Sequence, residues 1–78
     1  MQRLDILKEV NDIFIDVLDD ESIVLSEQTT AADVDGWDSL THIQLIVAIE
    51  KKFKLRFTSK DIQSWKDVKE MIDCIVTK

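Results

Sequence analysis

The sequence predicts an all-α fold of four helices, on three observations. Proline is absent and glycine occurs once, 33% of residues are charged, and apolar residues recur at three- and four-residue spacing through much of the chain. Few helix-breaking residues are present, and such a composition suits helices joined by polar connections. With 45% hydrophobic content in 78 residues, the chain can bury one core. It is read as a single domain, 1–78, too small for a two-domain enzyme.

The first helix is expected over about 2–18. Ile6, Leu7, Val10, Ile13, Phe14 and Val17 share one face, and Asp5, Glu9, Asp12 and Asp16 form a solvated stripe opposite. Residues 19–38 show no sustained helical period and are rich in Asp, Ser and Thr, so they read as a long loop. Ile23, Val24, Leu25 and Val34 argue that this loop is pinned to the core. The second helix, about 39–54, is apolar around most of its circumference through Leu40, Ile43, Leu45, Ile46, Val47, Ile49 and Phe53, as for a helix surrounded by others. Asp38 is its natural N-cap, and Lys51, Lys52 and Lys54 oppose the dipole at its far end. A one-turn third helix follows at about 59–63, capped by Thr58 or Ser59. The fourth runs over about 65–76, with Ser64 as cap, Asp67 as its reciprocal partner, and Val68, Met71, Ile72, Ile75 and Val76 facing inward.

Net charge is −6, unevenly spread. Before Ser39, eleven acids face only Arg3 and Lys8, leaving −9; from Ser39 onward, five acids meet eight bases, leaving +3. Nucleic acid is not expected as a partner, because phosphate binding needs concentrated positive charge. A basic protein surface fits better. Cys74 is the sole cysteine and reads as a buried structural thiol, so neither a disulfide nor a cysteine metal cluster is expected. No run of about 18 apolar residues would span a membrane, and the start lacks a signal peptide's apolar run. A cytoplasmic monomer without membrane insertion is the simplest expectation.

Two chemical sites fail on spacing. A calcium loop opening at Asp33 would need glycine at its sixth position and glutamate at its twelfth, where Asp38 and Gln44 stand. His42, three residues after Ser39, lacks the orienting acid and oxyanion hole of a hydrolase and reads as an exposed helix-surface histidine. The second helix also lacks the basic side chains of a helix-turn-helix DNA reader. No metal site or catalytic residue is expected. What remains is Ser39, in the first turn of the second helix, where free N–H groups and the positive dipole end favour an anion. Asp38 and Ser39 also satisfy a plain helix cap, and the residues alone leave both readings open.

The chain resembles the acyl carrier proteins. The resemblance rests on Asp38, Ser39 and Leu40 opening the second helix after a long loop, on the Ala-Ile-Glu-x-x-Phe pattern at Ala48 to Phe53, and on the order of elements over essentially the whole chain. It implies an acyl-carrier-like four-helix bundle with a long loop between its first two helices and a short third helix. It further implies a 4′-phosphopantetheine arm, derived from coenzyme A, on Ser39. A separate phosphopantetheinyl transferase would attach it in a magnesium-dependent reaction, with Asp38 steering the transferase or its magnesium. Leu40 and Ile43 would meet partner surfaces or the acyl chain. An acyl-loading ligase or acyltransferase and downstream synthase or transferase enzymes would be the partners, and the carrier itself would catalyse nothing.

In fatty-acid-synthesis carriers the second and fifth positions after the serine are usually acidic; here they are Thr41 and Gln44. With Trp37 before the aspartate, this favours a discrete carrier of a specialised pathway, such as polyketide, modified-sugar or polysaccharide assembly, over primary fatty acid synthesis. An aminoacyl or D-alanyl cargo is the alternative. The acids lie instead in the first helix and loop, so a basic partner is expected near Asp19, Asp20, Glu21, Asp33 and Asp35. The competing reading from another class is a small acidic helical adaptor with no prosthetic group.

Overall fold

The computed structural model describes residues 2–77, with Ser64 described in its backbone only. Four helices, α1 (Arg3–Leu18), α2 (Ser39–Phe53), α3 (Ser59–Ser64) and α4 (Val68–Val76), follow one another, with a 3₁₀ turn at Ala31–Asp33 inside the long connection between α1 and α2. The described residues contain no strand. α1 packs against both α2 and α4. The core comes from one face of each: Val10 and Phe14 of α1, Leu45 and Ile49 of α2, and Val68, Met71 and Ile72 of α4 are all fully buried. Each such side chain stabilises the fold by roughly 1.5–3 kcal/mol over leaving it in water.

The loop is pinned, as its apolar residues predict, but in an alternating way. Ile23 and Leu25 are buried while Val24 between them is 87% exposed. Asn11 on α1 holds this extended stretch by both ends of its amide: Nδ2 donates to the Ile23 carbonyl at 3.2 Å, and Oδ1 accepts from the Leu25 N–H at 2.6 Å. Arg3 then ties Glu27 of the loop to Asp73 of α4. Those two carboxylates hold the Arg3 guanidinium more firmly protonated than usual, Glu27 contributing most.

The fourth helix starts later than the sequence reading placed it. Its cap is Asp67, whose Oδ1 accepts from the Glu70 N–H at 3.0 Å. The expected capping by Ser64 falls on a side chain outside the described residues, and the helix itself begins at Val68. The reason is tertiary: the loop carbonyls of Thr29 and Glu27 accept from the first-turn N–H groups of Val68 and Lys69, at 2.9 and 2.8 Å. Helix starts leave such donors unsatisfied, and here the long loop supplies their acceptors.

α2 corrects a second expectation. It is not surrounded: Leu40, Ile43 and Val47 are 68%, 61% and 44% exposed and form an apolar stripe along its outer face. Only Leu45, Ile46 and Ile49 of this helix are buried. Cys74, expected to be buried, is half-buried.

α1 and α2 both end in a left-handed residue that is not glycine, Asp19 at φ 52° and Lys54 at φ 55°. That conformation costs roughly 1–2 kcal/mol each. It lets the Asp20 N–H reach the Ile15 carbonyl and the Leu55 N–H reach that of Glu50, so carbonyls that would end the helix unpaired are satisfied.

Candidate functional site

The turn into α2 is built from the residues Gly36 to Thr41, with separable duties. Gly36 adopts φ 86°, open to glycine without strain. A Cβ there would stand 4.0 Å from Leu18 Cδ2, so its backbone angle, not crowding, selects glycine. Trp37 is 9% exposed and meets Phe14 edge-on, with ring centroids 4.9 Å apart, which anchors the end of the loop to the core. Asp38 then caps α2: its Oδ1 accepts from the N–H groups of both Leu40 and Thr41 at 3.0 Å. Thr41 closes the cap from the other side, its Oγ1 accepting from the Asp38 N–H at 2.8 Å and donating to the Gly36 carbonyl at 2.6 Å.

These bonds hold the Asp38 carboxyl below its ordinary value of 3.8, the Thr41 N–H most of all; partial desolvation opposes this, while the Thr41 hydroxyl and the Leu40 N–H add to it. A carboxylate whose pKa is lowered by folding stabilises the fold fully above its unfolded value and loses that contribution as pH falls through the folded one. Asp38→Asn is therefore expected to flatten the acid limb of the stability curve, below about pH 4. Urea unfolding across pH 2–5 measures this. Equal slopes for the two proteins would show that the cap carries no pH dependence.

Ser39 is what this arrangement leaves over. It is exposed, and among the described residues neither its Oγ nor its N–H has a hydrogen-bond partner. Since Asp38 does the capping, the serine hydroxyl is unengaged at the positive end of a 15-residue helix. A phosphodiester fits here: the hydroxyl is accessible, the dipole favours the charge, and a cleft of about 330 Å³ opens beside it.

The other site residues divide. Leu40 and Ile43 are exposed beside Ser39, and Val47 continues their stripe, a residue the sequence reading counted with the core. Of the loop acids, Asp20, Asp33 and Asp35 line one cleft. Asp20 accepts from the Ser22 N–H and hydroxyl, which hold its carboxyl below the ordinary value. Asp33 accepts from the N–H and hydroxyl of Thr30. Asp19, Glu21 and Asp35 are exposed and make no side-chain bond to the described residues. Glu9, read as part of a solvated stripe, pairs with Lys52 at 3.0 Å and links α1 to α2.

His42 departs most from expectation. It is half-buried, stacked on Trp37 with centroids 6.1 Å apart and met edge-on by Trp65 at 5.8 Å. Its Nδ1 accepts from the Trp37 indole N–H at 3.0 Å. Thr41 was also missed as a structural residue, although Asp38-x-x-Thr41 is a capping-box spacing that the sequence displays.

The family model described as "Phosphopantetheine attachment site" matches residues 8–75. The acyl carrier protein of Thermosynechococcus vestitus is 32% identical over 79 aligned positions, covering 100% of this chain and 96% of the relative. The chain belongs to the acyl carrier protein family. Its four-helix architecture matches the solution structure of the holo acyl carrier protein from Geobacter metallireducens with a TM-score of 0.86 and 42% identity, over 92% of this chain and 83% of that one. Family members of this kind are carriers that work with partner enzymes, and phosphopantetheine is the covalent cofactor that defines the matched family. No helix among the described residues is long and apolar enough to cross a membrane, and none of their His, Cys, Asp and Glu side chains cluster as a metal site.

Proposed function

We propose that Ser39 is the attachment point of the arm and that this carrier serves a specialised cytoplasmic pathway, with a polyketide, modified-sugar, polysaccharide or fatty-acid-like acyl cargo. The observation that supports Ser39 is its exposed hydroxyl, without a partner among the described residues, one residue beyond a cap made complete by Asp38 and Thr41. In attachment, Ser39 Oγ forms a bond to phosphorus as a pyrophosphate P–O bond of coenzyme A breaks. The nucleotide half leaves, and the hydroxyl proton passes to the transferase's base. Asp38 holds the helix start through this step, and its carboxylate would steer the transferase or its magnesium. When bound, the arm supplies a thiol that holds an acyl group as a thioester, and tethering raises its effective concentration at each partner's active site. The test is intact mass after incubation with coenzyme A, magnesium and a broad-specificity phosphopantetheinyl transferase. One phosphopantetheine-sized increment is expected on the wild type and none on Ser39→Ala; a wild type that gains nothing with several transferases would return the adaptor reading.

The partner-facing surface is proposed as the stripe Leu40, Ile43 and Val47, flanked by the acids of the loop. Asp20, Asp33 and Asp35 line one cleft, and Asp19 and Glu21 flank Asp20 in the chain. A basic enzyme surface docks here and not along the flank of Thr41 and Gln44. Glu21 and Asp35 leave their carboxylates to solvent, so Glu21→Lys with Asp35→Lys tests docking without disturbing a turn. Slower acyl transfer, with a weaker dependence on salt, is the expected result. Unchanged loading and transfer would remove these acids from the interface.

A further inference from the structure

The cleft beside Ser39 is walled by Trp37, His42 and Trp65 and rimmed by Lys66. Its volume of about 330 Å³ suits a small branched group. The hydrogen bond from Trp37 fixes the chemistry of the histidine: an indole nitrogen only donates, so His42 Nδ1 bears no proton and Nε2 carries the hydrogen. Among the described residues that Nε2–H has no acceptor, and the ring is held by Trp37 on one side and Trp65 on the other. Trp65 is itself braced edge-on by Phe57, with centroids 4.8 Å apart. Lys66 is exposed and makes no ion pair among the described residues. The two carboxylates on the rim turn to their own helix starts, Asp38 to Leu40 and Thr41, and Asp67 to Glu70. One cleft thus offers a cation, a fixed neutral donor and apolar ring faces next to an unengaged serine hydroxyl.

The segment of phosphopantetheine nearest its attachment point has the complementary order: a phosphodiester anion, a carbon bearing two methyl groups, then a hydroxyl and an amide oxygen. We propose that this cleft is a resting seat for the phosphate and pantoyl part of the chain's own arm. Lys66 faces the phosphodiester, the rings of Trp65 and His42 cover the two methyl groups, and His42 Nε2–H donates to the pantoyl hydroxyl or amide oxygen. The inference rests on attachment at Ser39. In this position the arm lies on the α3–α4 side and leaves the stripe of Leu40, Ile43 and Val47 clear for a partner, which must lift the arm to use it.

The experiment compares the apo and holo chains by NMR, after intact mass has shown the arm to be attached. Expected are nuclear Overhauser contacts from the pantoyl methyls to ring protons of Trp65 and His42, a His42 imidazole protonated at Nε2, and an Nε2 resonance that moves between apo and holo. Lys66→Gln, at an exposed position, is expected to move the ³¹P resonance towards that of the same phosphodiester in the urea-unfolded holo chain and to lose the methyl contacts. Failure of attachment would overturn the Ser39 reading and the seat together. Attachment without ring contacts would overturn the seat alone, as would a ³¹P resonance indifferent to Lys66→Gln, or ring contacts made only by an acyl cargo.

Discussion

Ser39→Ala is expected to abolish phosphopantetheine attachment completely while leaving the thermal midpoint and the helical circular dichroism of the wild type in place. The two halves of this result come from adjacent residues. Removing Oγ removes the nucleophile, and no neighbouring hydroxyl substitutes, because Thr41 Oγ1 is already engaged with Gly36 and Asp38. The fold survives because the cap bonds to Leu40 and Thr41 come from Asp38, and alanine is a good helix former in the first turn. Substitutions at exposed positions without special contacts change stability by about 0.5 kcal/mol or less. A collapse of the helical signal in Ser39→Ala would mean that the serine hydroxyl carries part of the cap.

Trp37→Ala is expected to have the opposite profile, a severe loss of stability with the nucleophile intact. The indole fills the space against Phe14, stacks on His42 and donates to its Nδ1, so truncation leaves a cavity and an unpaired acceptor together. Deleting a buried aromatic costs about 3–5 kcal/mol. A chain of 78 residues has a total stability of roughly 4–12 kcal/mol at about 0.05–0.15 kcal/mol per residue. The midpoint should therefore fall by more than about 12 °C, since each kcal/mol moves it by about 4–8 °C in a domain of this size. Trp37→Phe keeps one aromatic ring against Phe14 but loses the donor and part of the indole's volume, and is expected to cost about 1–3 kcal/mol, less than Trp37→Ala. Thermal scans of the three proteins measure this. A fall of only a few degrees for Trp37→Ala would show that the loop end is anchored elsewhere.

The fold was largely legible because the core faces of α1 and α4 keep helical spacing, and because Asp38 stands where an apolar run begins. Three features were not, each for a tertiary reason. α4 starts at Val68 because loop carbonyls from Glu27 and Thr29 arrive there, a contact between segments about 40 residues apart that no local pattern announces. His42 looked like a surface residue because helical position alone cannot show that two tryptophans from different connections converge on it. Val47 read as core, and only the resemblance turned Leu40 and Ile43 outward, because hydrophobicity is the sequence signal for burial; an apolar face left in water is visible only once the neighbours of the helix are placed.

At the site, the sequence made Asp38 a cap and Ser39 a candidate, and the structure separates their duties. Thr41, which the sequence showed only as a neutral residue, completes the cap by bonding both Asp38 and Gly36. A carboxylate there could still accept from the Asp38 N–H but has no hydrogen to donate to the Gly36 carbonyl, so that last bond is particular to the threonine hydroxyl.

The central claim is that the arm is borne by Ser39, and fragmentation of the loaded chain by tandem mass spectrometry tests it most directly. The phosphopantetheine increment should localise to the peptide containing Asp38, Ser39 and Leu40, and to the serine within it. Localisation to another hydroxyl, such as Ser22, Ser26 or Ser59, would contradict the account.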